Sequence, residues 1–389
     1  LASTLLTKKS IKLKNIPKIQ DIISMLEALC FLKSQVCLND DHSITINNAL
    51  CQEKHVQAAF TQKTRASILL LGPLLARFGQ ATIAYPGGCK FGERPIDLHI
   101  NSLRQLGAEI DLRNNMIHAS APNGLIGGNI KLRKPSVGAT ENTLLAAVLA
   151  EGTTVIENAA REPEVVDLVK MLKNMGADIT GEGTSEIQIN GVSSLKSTDH
   201  TVIGDRIVAG TYLAAILSTG GHGKINGINP EHLPMELKKF VEIGAKLDTG
   251  NDYIQIESTD HLSSIDISTL PFPGVATDLQ PIFGAALLRA EGTSIITENV
   301  YDQRFQWIPE VQRMGANIQI GWQHAMIKGV NNLSGAPVHS TDIRTGASLI
   351  IAALQADGES IISGVEHIER GYENIVTLLS SIGGEIEYN

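Results

Sequence analysis

The sequence predicts a mixed α/β protein of two domains, assembled from six similar units of about 70 residues. Three observations predict it. First, a helix end, a glycine and an apolar strand recur: Thr143-Leu-Leu-Ala-Ala-Val-Leu-Ala-Glu-Gly152 before Thr-Thr-Val-Ile, Ile282-Phe-Gly-Ala-Ala-Leu-Leu-Arg-Ala-Glu-Gly292 before Thr-Ser-Ile-Ile, and Ser348-Leu-Ile-Ile-Ala-Ala-Leu-Gln-Ala-Asp-Gly358 before Glu-Ser-Ile-Ile, with weaker copies ending at Gly79 and Gly221. Second, another glycine runs in phase with the first, at Gly107, Gly176, Gly244, Gly315 and Gly383, each after an apolar stripe at helical spacing such as Val166, Leu168, Val169, Leu172 and Met175. Third, runs such as Thr82-Ile-Ala, Ile187-Gln-Ile, Tyr253-Ile-Gln-Ile and Ala325-Met-Ile read as strands, which argues against an all-helical array.

Each in-phase glycine is expected to close a helix in the left-handed conformation and to lead into a short strand. The segment from Leu1 to Leu13 fits a first unit from the middle of its helix onward, so residues ahead of Leu1 are expected. Grouping the units three and three gives domains 1–203 and 204–389, joined near Val202 to Asp205. A cleft between two such domains is the expected ligand site.

Composition narrows the function. The formal charge of −9 argues against nucleic acid or an anionic membrane as a partner, so an anionic substrate would be caught by local arginines. Hydrophobic content is 43% with few aromatics, an ordinary aliphatic core. The apolar stretch from Ala66 to Ala76 contains Gly72 and Pro73 and is too short to span a membrane. Four cysteines, Cys30, Cys37, Cys51 and Cys89, form no C-x-x-C pair and no zinc spacing. They read as reduced thiols of a cytoplasmic protein, and neither metal nor cofactor is expected.

The stretch most suited to chemistry is the loop Tyr85-Pro86-Gly87-Gly88-Cys89-Lys90-Phe91-Gly92-Glu93-Arg94-Pro95-Ile96-Asp97-Leu98-His99. Its three glycines and two prolines rule out continuous helix or strand. Lys90 and Arg94 flank the Cys89 thiol, and neighbouring cations favour thiolate. The plainer reading is a surface turn with an incidental cysteine.

Arginines recur at turns: Arg65, Arg94, Arg161, Arg206, Arg304, Arg344 and Arg370. The planar guanidinium fork suits phosphate and carboxylate. Taken singly each could be a structural ion pair; together they favour a polyanion site. The segment Lys134-Pro135-Ser136-Val137-Gly138-Ala139-Thr140-Glu141-Asn142 is a turn opening a helix, whose free amides could hold a phosphate or simply be capped by Ser136 or Thr140. No phosphate-binding P-loop or dinucleotide-type glycine turn occurs. Asp278 sits at a loop-to-helix junction, as a cap or, facing a cleft, as a general base.

These stretches together resemble the UDP-N-acetylglucosamine enolpyruvyl transferases, members of the EPSP synthase-like superfamily. The resemblance runs from Leu1 to the C-terminus. Its specific motifs are Pro-Gly-Gly-Cys-Lys-Phe-Gly-Glu-Arg-Pro-Ile-Asp-Leu-His, Ser-Val-Gly-Ala-Thr, Glu157-Asn-Ala-Ala-Arg-Glu-Pro-Glu-Val-Val-Asp167, Thr-Asp-Leu-Gln, Asp-Ile-Arg-Thr-Gly-Ala-Ser and His-Ile-Glu-Arg-Gly-Tyr-Glu. The resemblance implies an inside-out α/β barrel, two domains of three βαβαββ-type units with central helices and outer sheets. It implies transfer of the enolpyruvyl group of phosphoenolpyruvate to the sugar 3′-hydroxyl of UDP-N-acetylglucosamine, with release of phosphate, in the cytoplasm and for peptidoglycan synthesis. A monomer without cofactor is expected.

By that resemblance Cys89 is the general acid toward the methylene carbon and the target of the epoxide antibiotic fosfomycin, while Asp278 binds the sugar and helps remove the hydroxyl proton. Arg94 and Arg370 would hold phosphate and Arg344 the carboxylate. Arg94, Pro95, Ile96, Asp97 and Leu98 would hold the uracil; Arg65, Lys134, Pro135, Ser136, Val137 and Gly138 would line the nucleotide phosphates; Val300 would touch the sugar. The sequence departs from the family at Val208 (usually glutamate), at Val275-Ala276 (usually Phe-Pro) and at Gln303 (usually asparagine), and the family's Lys-Asn pair would precede Leu1. Two alternatives stay open: a weakened paralogue that binds the sugar nucleotide and regulates, and a transferase acting on shikimate 3-phosphate, against which the Cys89 loop argues.

Overall fold

The computed structural model describes residues 1–87, 95–302 and 304–389. Cys89, Arg94 and Gln303 therefore lie outside the described residues. The described residues form two compact units: one of residues 1–87 and 95–203, the other of residues 204–302 and 304–389, and each has its own aliphatic core.

The repeats are visible as one sheet pattern used again and again. In the first unit, Gln80–Ala84 pairs antiparallel with Met116–Ser120, which pairs antiparallel with Glu109–Arg113; His55–Val56 adds in parallel on the other side. Thr153–Glu157 repeats this with Glu186–Asn190, Asp178–Thr180 and the parallel Asn129–Lys131. Ser10–Lys14 does so with Ile44–Asn47, Gln35–Leu38 and the parallel Asp199–Thr201. The parallel strand always follows the hairpin of the preceding repeat, and Asp199–Thr201, after the third hairpin, returns to the first sheet.

The second unit shows the same order in Ile267–Ser268, Thr293–Thr297, His324–Lys328 and Asn317–Gly321, while His222–Asn226, Tyr253–Glu257 and Lys246–Thr249 form a three-stranded version. Strands alternate: Ile187 and Ile189 are fully buried while Glu186 and Gln188 face water. A sheet solvated on one face reads this way.

The buried sheet faces cover helices that are apolar almost all round. In the first unit Leu71–Phe78 packs on Val137–Ala147. In the second, Arg206–Ser218, Gln280–Ala286 and Ile343–Leu354 pack on one another. A helix buried on every side belongs in a core. Gly72 shows how closely they cross: a Cβ there would lie 2.6 Å from the Asn142 carbonyl oxygen.

The in-phase glycines behave as the sequence predicts, with φ between +92° and +132° at Gly107, Gly176, Gly244, Gly315 and Gly383. At the weaker copy of the other repeat, Gly220, next to Gly221, takes the left-handed conformation. One reading needs correction. After Gly383 no strand forms: residues 384–389 are irregular.

Candidate active site

Three of the central helices of the second unit start around one charged cluster. Asp205 caps the first, accepting hydrogen bonds from the Ile207 and Val208 amides at 2.8 and 3.1 Å. Asp342 caps the third, accepting from the Arg344 and Thr345 amides at 2.9 and 3.2 Å. The second is preceded by the 3-10 turn Thr277–Leu279, which carries Asp278. Asp205 and Asp342 answer the unpaired amides that open a helix, whereas Asp278 caps neither its own turn nor the helix that follows.

Asp278 lies between two guanidiniums. Arg304 donates to its Oδ1 at 2.6 Å and Arg344 to its Oδ2 at 3.2 Å. Arg344 also donates to the Tyr372 hydroxyl at 3.2 Å, which shares a 2.8 Å hydrogen bond with Thr211 Oγ1. Burial is the largest single influence on Arg344 and opposes its charge, yet Asp278, Tyr372 and Asp205 together outweigh it and hold the guanidinium more firmly protonated than in water. Burial raises the Tyr372 hydroxyl pKa while Arg344 pulls it down; the phenol stays neutral and available as acceptor and donor.

Two buried carboxylates hold the surrounding backbone. Glu236 accepts from the Ala276 amide at 2.9 Å and lies 3.9 Å from Arg206. Glu298 accepts through Oε1 from Thr269 Oγ1 at 2.7 Å and from the Val300 and Tyr301 amides, each at 2.9 Å. Its Oε2 accepts from Thr277 Oγ1 at 3.0 Å. Val300 is thereby fixed on a half-exposed loop. Arg370 is half-buried just past the helix Val365–Ile368, two residues before Tyr372.

In the first unit the predicted nucleotide residues come together differently. Arg65 opens the 3-10 helix Arg65–Leu70 and donates to the Pro95 carbonyl at 3.0 Å. Asp97, at the start of Asp97–Gln105 after Ile96, pairs with Arg133 at 2.8 Å, and Leu98 follows on that helix. Lys134 and Pro135 lead into Val137–Ala147, where Ser136 Oγ accepts from the Ala139 amide at 3.4 Å. Gly138 sits against His99: a Cβ there would lie 3.0 Å from the His99 Cε1.

His99 had no role in the sequence reading, although it closes the quoted loop motif. The Gly72 amide donates to Asn142 Oδ1 at 2.8 Å, which turns the Asn142 Nδ2 toward the Ile68 carbonyl and His99 Nδ1, both at 3.2 Å. His99 Nδ1 is therefore the acceptor, and its proton sits on Nε2. Burial pushes the imidazole pKa down to about 4, Arg65 adding to the effect and Asp97 opposing it. The ring is neutral at pH 7.

The sequence reading named Arg304 among its turn arginines without a role, and missed Glu298, Glu236, Tyr372 and Thr211. The Asp-Gln-Arg-Phe run was the available signal for Arg304. The others bond partners distant in the chain, Glu298 through Thr269 and Thr277, Glu236 through Ala276, and Tyr372 through Thr211 and Arg344. Among the described residues no helix is long and apolar enough to cross a membrane, and no group of three His, Cys, Asp or Glu could hold a metal.

The family profile for EPSP synthase (3-phosphoshikimate 1-carboxyvinyltransferase) matches residues 1–379. The chain belongs to this family of carboxyvinyl transferases. Among its relatives, UDP-N-acetylglucosamine 1-carboxyvinyltransferase 1 of Carboxydothermus hydrogenoformans is 44% identical over 387 residues, covering 100% of this chain and 91% of the relative. UDP-N-acetylglucosamine 1-carboxyvinyltransferase of Psychrobacter sp. is 42% identical over 389 residues, covering 100% of this chain and 90% of the relative. The crystal structure of the enolpyruvyl transferase NikO from Streptomyces tendae shares the fold, with a TM-score of 0.90 at 23% identity, covering 99% of this chain and 92% of that one.

Proposed function

We propose that this protein transfers the enolpyruvyl group of phosphoenolpyruvate to the 3′-hydroxyl of UDP-N-acetylglucosamine and releases phosphate. The observation that carries the reading is the full-length identity of 42–44% with relatives named for that sugar nucleotide. The reaction adds the hydroxyl to C2 of the enolpyruvate while C3 gains a proton. Phosphate then leaves and C3 gives the proton back. The chemistry asks for an acid at C3, a group that takes the hydroxyl proton, and cations for phosphate and carboxylate.

In this reading Cys89 protonates C3 and Asp278 orients the sugar hydroxyl and accepts its proton. The Asp278 geometry supports the second role: a carboxylate lodged between Arg304 and Arg344 has a fixed direction. Arg94, Arg344 and Arg370 supply charge for phosphoenolpyruvate. Arg65, the segment Pro95 to Leu98 and the segment Lys134 to Gly138 take the uridine diphosphate, with Val300 against the sugar. The same reading makes the enzyme cytoplasmic, commits its product to peptidoglycan, and makes Cys89 the residue alkylated by fosfomycin.

The test is phosphate release from phosphoenolpyruvate with and without UDP-N-acetylglucosamine. Release should depend on the sugar nucleotide and disappear in Cys89→Ala. Sugar-nucleotide binding without release would point to a regulatory paralogue. Stimulation by shikimate 3-phosphate instead would move the protein to the other branch of its family.

A further inference from the structure

We infer that Glu298 is a positioning residue that couples the turn bearing Asp278 to the loop bearing Val300, and that Thr277 is the link through which it acts on Asp278. The inference rests on the proposed transferase reading and adds to it.

Glu298 is fully buried directly after the strand Thr293–Thr297. A lone buried carboxylate is costly unless its oxygens find donors. Here both do, and the donors belong to two separate pieces of chain. Oε1 takes the Val300 and Tyr301 amides, which curls the loop leading to Arg304. The same oxygen takes the Thr269 hydroxyl, and Thr269 Oγ1 in turn accepts from the Asn299 amide at 2.9 Å. Oε2 takes the Thr277 hydroxyl, one residue before Asp278. Thus one side chain fixes the distance between the Asp278 turn and the Val300 and Tyr301 backbone. Arg304 is itself a partner of Asp278, so the carboxylate and its guanidinium are registered against each other twice, directly and through Glu298.

The charge is not what the arrangement requires. A hydroxyl can accept as well as donate. In Glu298→Gln the amide oxygen can keep the Val300, Tyr301 and Thr269 donors while the amide nitrogen donates to Thr277. Geometry would survive and the negative charge would not.

The experiment measures steady-state kinetics and thermal midpoints at one pH for the full chain and four variants. Glu298→Gln and Thr277→Ser should stay within about threefold of wild type in kcat. Thr277→Val should lower kcat by about tenfold or more with little change in KM for UDP-N-acetylglucosamine, because only the Asp278 turn is released. Glu298→Ala should lower kcat and raise that KM together, because the Val300 loop is released as well. Wild-type kinetics in Thr277→Val, or a Glu298→Ala enzyme that is merely less heat-stable with unchanged kcat and KM, would overturn the inference alone. A wild-type chain without sugar-nucleotide-dependent phosphate release would overturn the transferase reading and this inference with it.

Discussion

The two units hold their polar clusters by opposite means. In the first, His99 feels the charges of Arg65 and Asp97, but its hydrogen-bonded cluster is neutral: an imidazole kept uncharged chiefly by burial, an asparagine fixed by a backbone amide, and glycines where helices approach. In the second, the groups around Asp278 are ions, with each guanidinium bonded to its own carboxylate oxygen. The contrast separates two tasks. Backbone, helix starts and ring faces suit shape-based holding of a ligand that does not react. Fixed charges suit the place where charge develops.

The comparison can be broken most sharply at Asp278. Asp278→Asn keeps the shape and removes the charge, and should cut turnover by about 10² to 10⁴, the usual range for a positioned acid or base, with the fold retained by circular dichroism. A rate within tenfold of wild type would mean that the second cluster is no more catalytic than the first.

The first unit should instead announce itself in the pH dependence of stability. The folded-state pKa of His99 is depressed to about 4 from about 6.5, so folding loses stability as pH falls through that interval, by about 3 kcal/mol once both limits are passed. Glu141 works the other way. Burial, with Glu164 adding to it, raises its carboxyl to about 7, so stability is lost as pH rises from about 4.5 to 7. Urea unfolding at pH 7.5 and 4.5 separates them: the two effects nearly cancel in the wild type, so Glu141→Gln should expose a loss on acidification and His99→Gln should expose a gain. Identical acid dependence in all three proteins would remove the distinction drawn here.

A smaller effect is expected where helices cross. Gly72→Ala would drive a methyl into the Asn142 backbone and should destabilise by about 1–3 kcal/mol, read from the urea midpoint. The smallest belongs to Ser136→Ala, which removes a long capping bond and should cost about 1 kcal/mol or less.

The same contrast decides what could be read from the sequence. The repeat and its glycines were legible because each is local: a helix stripe, a left-handed closure, a strand. The residues proposed for the nucleotide in the first unit stand out in the sequence because they form contiguous runs, Pro95 to Leu98 and Lys134 to Gly138. The second unit's cluster was legible in part: Asp278, Arg304 and Arg344 stand at turns the sequence marks, but their joining to Thr211, Glu298 and Tyr372 crosses long stretches of chain that neither spacing nor propensity announces. His99 lay inside a quoted motif and still escaped, because its partner Asn142 comes from another helix. The strand expected after Gly383 shows the converse, a local signal that pairs with no strand among the described residues.

The return of Asp199–Thr201 to the first sheet has a consequence for a chain made from its N-terminus. Ser10–Lys14 is formed early, yet the neighbour on its open side is nearly two hundred residues away: Leu13 waits for His200 and Lys14 for Thr201. Until the ribosome has released that stretch, the nascent sheet offers a bare edge to any other emerging chain, and unpaired edges invite foreign strands. Lys12 and Lys14 stand on that edge. In the finished protein Lys14 lies 3.6 Å from Asp199; during synthesis its charge would keep strangers off the seat reserved for it.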